Sequence, residues 1–102
     1  MTPKQIKAAE KVWADRSKYL MGLFGGPSDI REETEGEDFR HQYVAIGDSV
    51  LIATRETGEM HQGIVWKIMG FGRGCRNYFI FVPKLGRVLI RSSSYLARDI
   101  SG

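Results

Sequence analysis

Four runs of β-branched and aromatic residues, cut apart by turns, dominate the second half of this 102-residue chain. Residues 49–54 read Ser-Val-Leu-Ile-Ala-Thr, behind the turn pair Gly47 and Asp48 and ahead of Glu56, Thr57 and Gly58. Residues 63–69 (Gly-Ile-Val-Trp-Lys-Ile-Met), 77–82 (Asn-Tyr-Phe-Ile-Phe-Val) and 87–91 (Arg-Val-Leu-Ile-Arg) follow, the last after a tight turn of Pro83, Lys84, Leu85 and Gly86. Short apolar runs bounded by such turn chemistry predict strands. Alternation in the fourth run sets Val88 and Ile90 inward and Arg87 and Arg91 outward, on one shared face. Residues 92–96 suit one turn of 3₁₀ helix capped by serine hydroxyls, and residues 98–100 a last short strand. Five short strands within residues 43–102 predict a mainly β domain, a small barrel closed or nearly closed so that few edges stay exposed.

The first part of the chain has a different period. Thr2, Pro3, Lys4 and Gln5 supply a hydroxyl N-cap, a proline at the first helical position and a glutamine three residues after the cap. Ile6, Ala9, Val12, Trp13 and Leu20 then share one helical face, opposite Lys4, Lys7, Lys11 and Lys18. An amphipathic helix is therefore expected over residues 1–24, ending at Gly22 or before Gly25, Gly26 and Pro27. It would cap one end of the domain, or dock a protein partner through its Trp13 face. Residues 25–42 are expected to be an acidic linker bounded by glycine and proline. Within it, residues 28–38 hold six acids against Arg31 alone, with Ile30 the single large apolar side chain. That composition predicts a mobile, solvated connector. A second expectation is that it folds back over a basic surface and competes with an anionic ligand.

The order of strand, turn, long bent strand, loop, strand, tight turn, strand, 3₁₀ turn and short strand resembles the SH3-like small-barrel superfamily. That group includes KOW and Tudor modules and the plasmid-type dihydrofolate reductase subunit. Residues 46–52 (Ile-Gly-Asp-Ser-Val-Leu-Ile), 63–65 (Gly-Ile-Val), 86–90 (Gly-Arg-Val-Leu-Ile), Tyr95 and Leu96 carry the likeness, which covers residues 44–100. The resemblance implies a five-stranded SH3-like barrel, with no counterpart for the N-terminal helix or the acidic stretch. Such scaffolds host many activities. Trp66, Phe71, Tyr78, Phe79 and Phe81 are read as core rather than as a Tudor-like cage, since no acidic residue lies near them in sequence. The reductase works from a Val-Gln-Ile-Tyr segment, where this chain has Val88, Leu89, Ile90 and Arg91 and so lacks both polar groups.

Charge segregation points to a function. Residues 1–21 carry a net +3, residues 28–38 a net −5 and residues 39–102 a net +5. From residue 60 to residue 98 there are seven basic residues and no Asp or Glu. Clustered Lys and Arg are the electrostatic footprint of phosphate binding. The candidate nucleic-acid-binding residues are Lys67, Phe71, Arg73, Arg76, Lys84, Arg87 and Arg91. Residues 70–76 (Gly-Phe-Gly-Arg-Gly-Cys-Arg) are expected to form a flexible loop, with Phe71 stacking on a base and Arg73 and Arg76 gripping phosphates. The loop's glycines precede a strand rather than a helix, so they make no nucleotide fingerprint.

Catalysis has little support in the sequence, which points to no cofactor or metal. His41 and His61 have no metal-ligand spacing, and His61 is expected at the surface near Glu59. Residues 92–94 resemble no nucleophile elbow. A single cysteine, Cys75, makes no internal disulfide and no Cys-rich zinc site. No apolar run approaches the roughly 18 residues of a membrane span, and the N-terminus carries no apolar signal segment, so a cytoplasmic setting is expected. These observations lead to a small non-catalytic protein binding DNA or RNA. The alternative is an interaction or regulatory adaptor that docks a partner through its helix or a barrel edge.

Overall fold

The computed structural model describes residues 1–24 and 30–99. Helix α1 (Pro3–Phe24) starts on the expected cap and stops just before Gly25. The Gln5 amide donates to Thr2 Oγ1 at 3.1 Å, and the Thr2 amide donates to Gln5 Oε1 at 2.9 Å. This reciprocal pair satisfies amides that the first turn leaves without partners.

Eight strands follow among the described residues: β1 (Ile30–Glu33), β2 (Glu35–Glu37), β3 (Tyr43–Ala45), β4 (Ser49–Ala53), β5 (Met60–Phe71), β6 (Cys75–Val82), β7 (Arg87–Arg91) and β8 (Leu96–Arg98). The main sheet is antiparallel, in the order β7-β6-β5-β4-β8, with β1 also on β5; β2 and β3 pair separately. Strand β5 organises this arrangement. Its first half pairs with β4, from Ala53 opposite Met60 to Ser49 opposite Ile64, and its last four residues pair with β1. Between Val65 and Lys67 the register with β6 shifts, so Trp66 is the extra residue of a bulge that bends the strand. Gly63 allows the curl, because a Cβ there would lie 2.5 Å from Ile80 Cγ2 and 3.0 Å from the Phe81 carbonyl.

The expected closed five-stranded barrel is not what forms. Strands β7 and β8 do not pair with each other, and the sheet stays open. A single residue, Ser92, joins β7 to the 3₁₀ turn Ser93–Tyr95, which leads directly into β8 on the far side of β4. A side chain spans the gap instead of a ladder. Arg91 donates to the Ala53 carbonyl on β4 at 2.8 Å and to the Ile90 carbonyl at 2.7 Å. Ser92 makes no side-chain capping bond, contrary to expectation. Leu96, expected in the 3₁₀ turn, begins β8 and is buried; Ile100 lies outside the described residues.

Two cores lie on the two faces of the sheet. Val50, Ile52, Val65, Ile68, Tyr78, Ile80 and Leu96 fill the concave side, with Leu89 packed against them. Met69, Phe79 and Val88 face the other way and meet Ala9 and Leu20 of α1. Trp13 sets its ring 4.8 Å from that of Phe79, tilted by 48°. The alternation expected in β7 holds, but both of its faces are used. Val88 and Ile90 go under the helix, and Arg91 on the other face is half-buried rather than outward.

The acidic stretch is not a solvated connector where it is described. Ile30 packs against the helix-side core while residues 30–33 complete a ladder on β5, which supplies the backbone partners that composition cannot reveal. Asp38, at its end, is 2% exposed. One carboxylate oxygen accepts the Arg40 and Gln42 amides at 2.8 and 2.9 Å, and the other accepts the Arg98 amide at 2.9 Å. His61 is likewise buried rather than at the surface, because its place opposite Ile52 turns it inward; its Nε2 lies 3.8 Å from Glu59 Oε2.

Candidate functional site

The tertiary fold splits six of the seven candidates three ways, as acid-matched cations, a hairpin-tip arginine and a cleft pair, and packs the seventh, Phe71, against the helix-side core. Lys67 sits 3.6 Å from Glu32 and lies over the rings of Trp66 (5.1 Å) and Trp13 (5.4 Å). Arg76 donates its Nε–H to Glu33 Oε2. That bond raises the guanidinium above its ordinary value, against the opposing effect of burial. Lys84 lies 3.3 Å from Glu59. The basic run has no acid of its own, yet β1 and the end of the β4–β5 turn bring carboxylates to three of its cations.

The expected seven-residue loop is also reduced. Phe71 pairs with Cys75, so the connection is Gly72, Arg73 and Gly74, with the two glycines at φ of 57° and 77°. Such values suit glycine and let the hairpin close in three residues. Arg73 is exposed at its tip, where Arg31 donates to the Gly72 carbonyl at 3.2 Å. Phe71 packs, partly buried, against the helix-side core. Its ring is thus engaged within the fold.

Arg87 and Arg91 are the remaining pair, in a cleft of about 470 Å³. One wall is α1, through Val12 and Arg16, and the floor is β7 with Asn77 of β6. The opposite rim is the turn after β4, residues 54–56, together with Ser92 and Tyr95. Four arginines therefore line the cleft: Arg16, Arg55, Arg87 and Arg91. Among the described residues none of them makes an ion pair with a carboxylate, and Glu56 is the single acid in the lining. Arg16 is aimed by its Nε–H bond to Asn77 Oδ1 at 2.8 Å and by its stack over Tyr19 at 5.1 Å. Burial holds Arg91 below the ordinary guanidinium value, and the like charge of Arg55 adds to the effect, opposed by Glu56. A guanidinium remains cationic at neutral pH under such conditions. Within the lining, Glu56 alone offsets its charge.

Sequence reasoning missed Arg16 and Arg55. Arg16 is separated from Asn77 by 61 positions, and only the packing of the helix on the sheet joins them. Arg55 stands beside Glu56 in sequence, which reads as local neutralisation; the bond from Arg91 to the Ala53 carbonyl is what brings the turn after β4 next to β7. Planar guanidiniums grouped with a serine, an asparagine and a tyrosine are suited to a phosphate or carboxylate, which they can grip with paired hydrogen bonds.

The adaptor surface is used within the chain, since Val12 and Trp13 pack on the sheet. No helix among the described residues is long and apolar enough to cross a membrane. No group of three or more His, Cys, Asp or Glu among them could hold a metal ion. No family model matches this chain, and no curated protein or solved structure is significantly similar to it.

Proposed function

We propose that this chain is a small, non-catalytic nucleic-acid-binding protein that seats backbone phosphates in the cleft between α1, β7 and the turn at residues 54–56. One observation carries the reading: Arg16, Arg55, Arg87 and Arg91 line a single cleft and, among the described residues, make no ion pair with a carboxylate, while Lys67, Arg76 and Lys84 are matched by acids. Phosphate binding supplies the missing countercharge, and the half-buried Arg91 gains most from it. Arg73, at the hairpin tip, adds a further phosphate contact. In this reading the barrel likeness is that of an opened SH3-like sheet whose gap became the binding cleft. The setting is the cytoplasm, where Cys75 stays a free thiol.

Binding to labelled DNA or RNA, followed by fluorescence polarisation across a salt series, tests the reading. Affinity should fall steeply with salt, and Arg55→Ala or Arg87→Ala should each reduce the log–log slope by about one. Lys84→Ala, whose charge is already matched by Glu59, should change it less. Absence of salt-sensitive binding to either nucleic acid would overturn it.

A further inference from the structure

We propose that the cleft selects unpaired nucleotides, with a base stacked on Tyr95 and the adjoining phosphate held by Arg55 and Arg91. This deepens the nucleic-acid reading and rests on it. Tyr95 is 70% exposed, the highest value among the exposed large apolar and aromatic side chains of the described residues. Packing does not explain that exposure, yet the ring is not carried on a loose loop. The Tyr95 amide closes the 3₁₀ turn onto the Ser92 carbonyl at 3.0 Å, and the next residue, Leu96, is locked in the concave core. The ring is thus an exposed aromatic surface on a fixed base.

Its position gives that surface a use. Tyr95 lines the arginine cleft and also an adjoining hollow of about 260 Å³ made with Ala53, Thr54, Arg55 and Arg91. One aromatic face and two guanidiniums that repel each other therefore border the same space. This combination is what a nucleotide unit offers partners for: a flat base and, one bond system away, a phosphate. The cleft, at about 470 Å³, is within the range of roughly 300–1,000 Å³ typical of small-ligand sites. A duplex keeps its bases stacked on one another and presents only phosphates and groove edges, so it cannot use the ring. The aromatic contact foreseen for Phe71 passes to Tyr95, because Phe71 is partly buried against the helix-side core.

The test uses the full chain and a short labelled oligothymidylate, compared with a duplex of equal length, in polarisation at low salt. The single strand should bind about tenfold more tightly than the duplex. Tyr95→Ala should weaken single-strand binding about tenfold and leave duplex binding unchanged, while Tyr95→Phe should retain both. Arg55→Ala should weaken both substrates. Circular dichroism of the exposed-site variants checks that they fold. Equal affinity for the two substrates, or a Tyr95→Ala variant that binds the single strand like wild type, would overturn the inference and leave the nucleic-acid reading standing. Loss of salt-sensitive binding to both substrates would remove the two together.

Discussion

Asp38 shows how one carboxylate can hold two distant pieces of chain. It fixes the turn at Arg40 and Gln42 and also takes the amide of Arg98 in β8, 60 positions away. Burial pushes its carboxyl upward, but the amides of Arg98, Gln42 and Arg40 outweigh that, aided by the charge of Arg40, and hold it below the ordinary value. A depressed folded value means that the stabilisation is present above the unfolded carboxyl value of about 3.9 and lost as pH falls through the folded one. Asp38→Ala leaves these amides without an acceptor and should cost about 2–4 kcal/mol in urea unfolding at neutral pH. Asp38→Asn should flatten the acid limb of the stability curve; an unchanged limb would place the acid sensitivity elsewhere. Tyr78 plays a similar part, its hydroxyl donating to the Glu37 carbonyl and accepting the Glu37 amide, both at 2.8 Å. Neither role is visible in sequence, where Asp38 ends an acidic run and Tyr78 belongs to an aromatic strand.

At the scale of elements, α1 is a wall of the core and of the cleft. Its cap, its length and the stripe of Ala9, Val12, Trp13 and Leu20 were legible, because capping chemistry and the 3.6-residue period are local properties, while Ile6, expected in that stripe, is exposed. Its docking place was not, since any apolar face of a small sheet would accept the same stripe. With Ala9, Trp13 and Leu20 removed, Met69, Phe79 and Val88 would lie open to water. Deletion of residues 1–24 should therefore leave an unfolded or aggregated product, read as loss of the cooperative thermal transition. A soluble, cooperatively folding remainder would instead show that the helix is an appendage. Strand β1 teaches the opposite lesson. Its composition argued for solvation, yet its backbone finds a ladder on the bent half of β5, and its glutamates find Lys67 and Arg76.

Across the whole molecule the charge blocks are rearranged rather than merely folded. The acidic block quenches one part of the basic block and leaves the cleft arginines with Glu56 as the single acid of their lining. Removing that quench should enlarge the basic surface: Glu32→Gln with Glu33→Gln should tighten nucleic-acid binding at low salt by several-fold and steepen the salt slope by up to about two. Unchanged affinity would mean that Lys67 and Arg76 lie outside the footprint. The turns at residues 47–48, 56–58 and 83–86, four of the strands, the helix with its cap and the excess of positive charge were determined by the sequence alone, because each depends on residues within a few positions of one another. The open sheet, the burial of Asp38 and His61, the pairing of acids with bases and the meeting of Arg16, Arg55, Arg87 and Arg91 were decided only by tertiary structure. Those features depend on which strand edge and which face each segment occupies, and many edges and faces suit the same local pattern until long-range packing chooses among them.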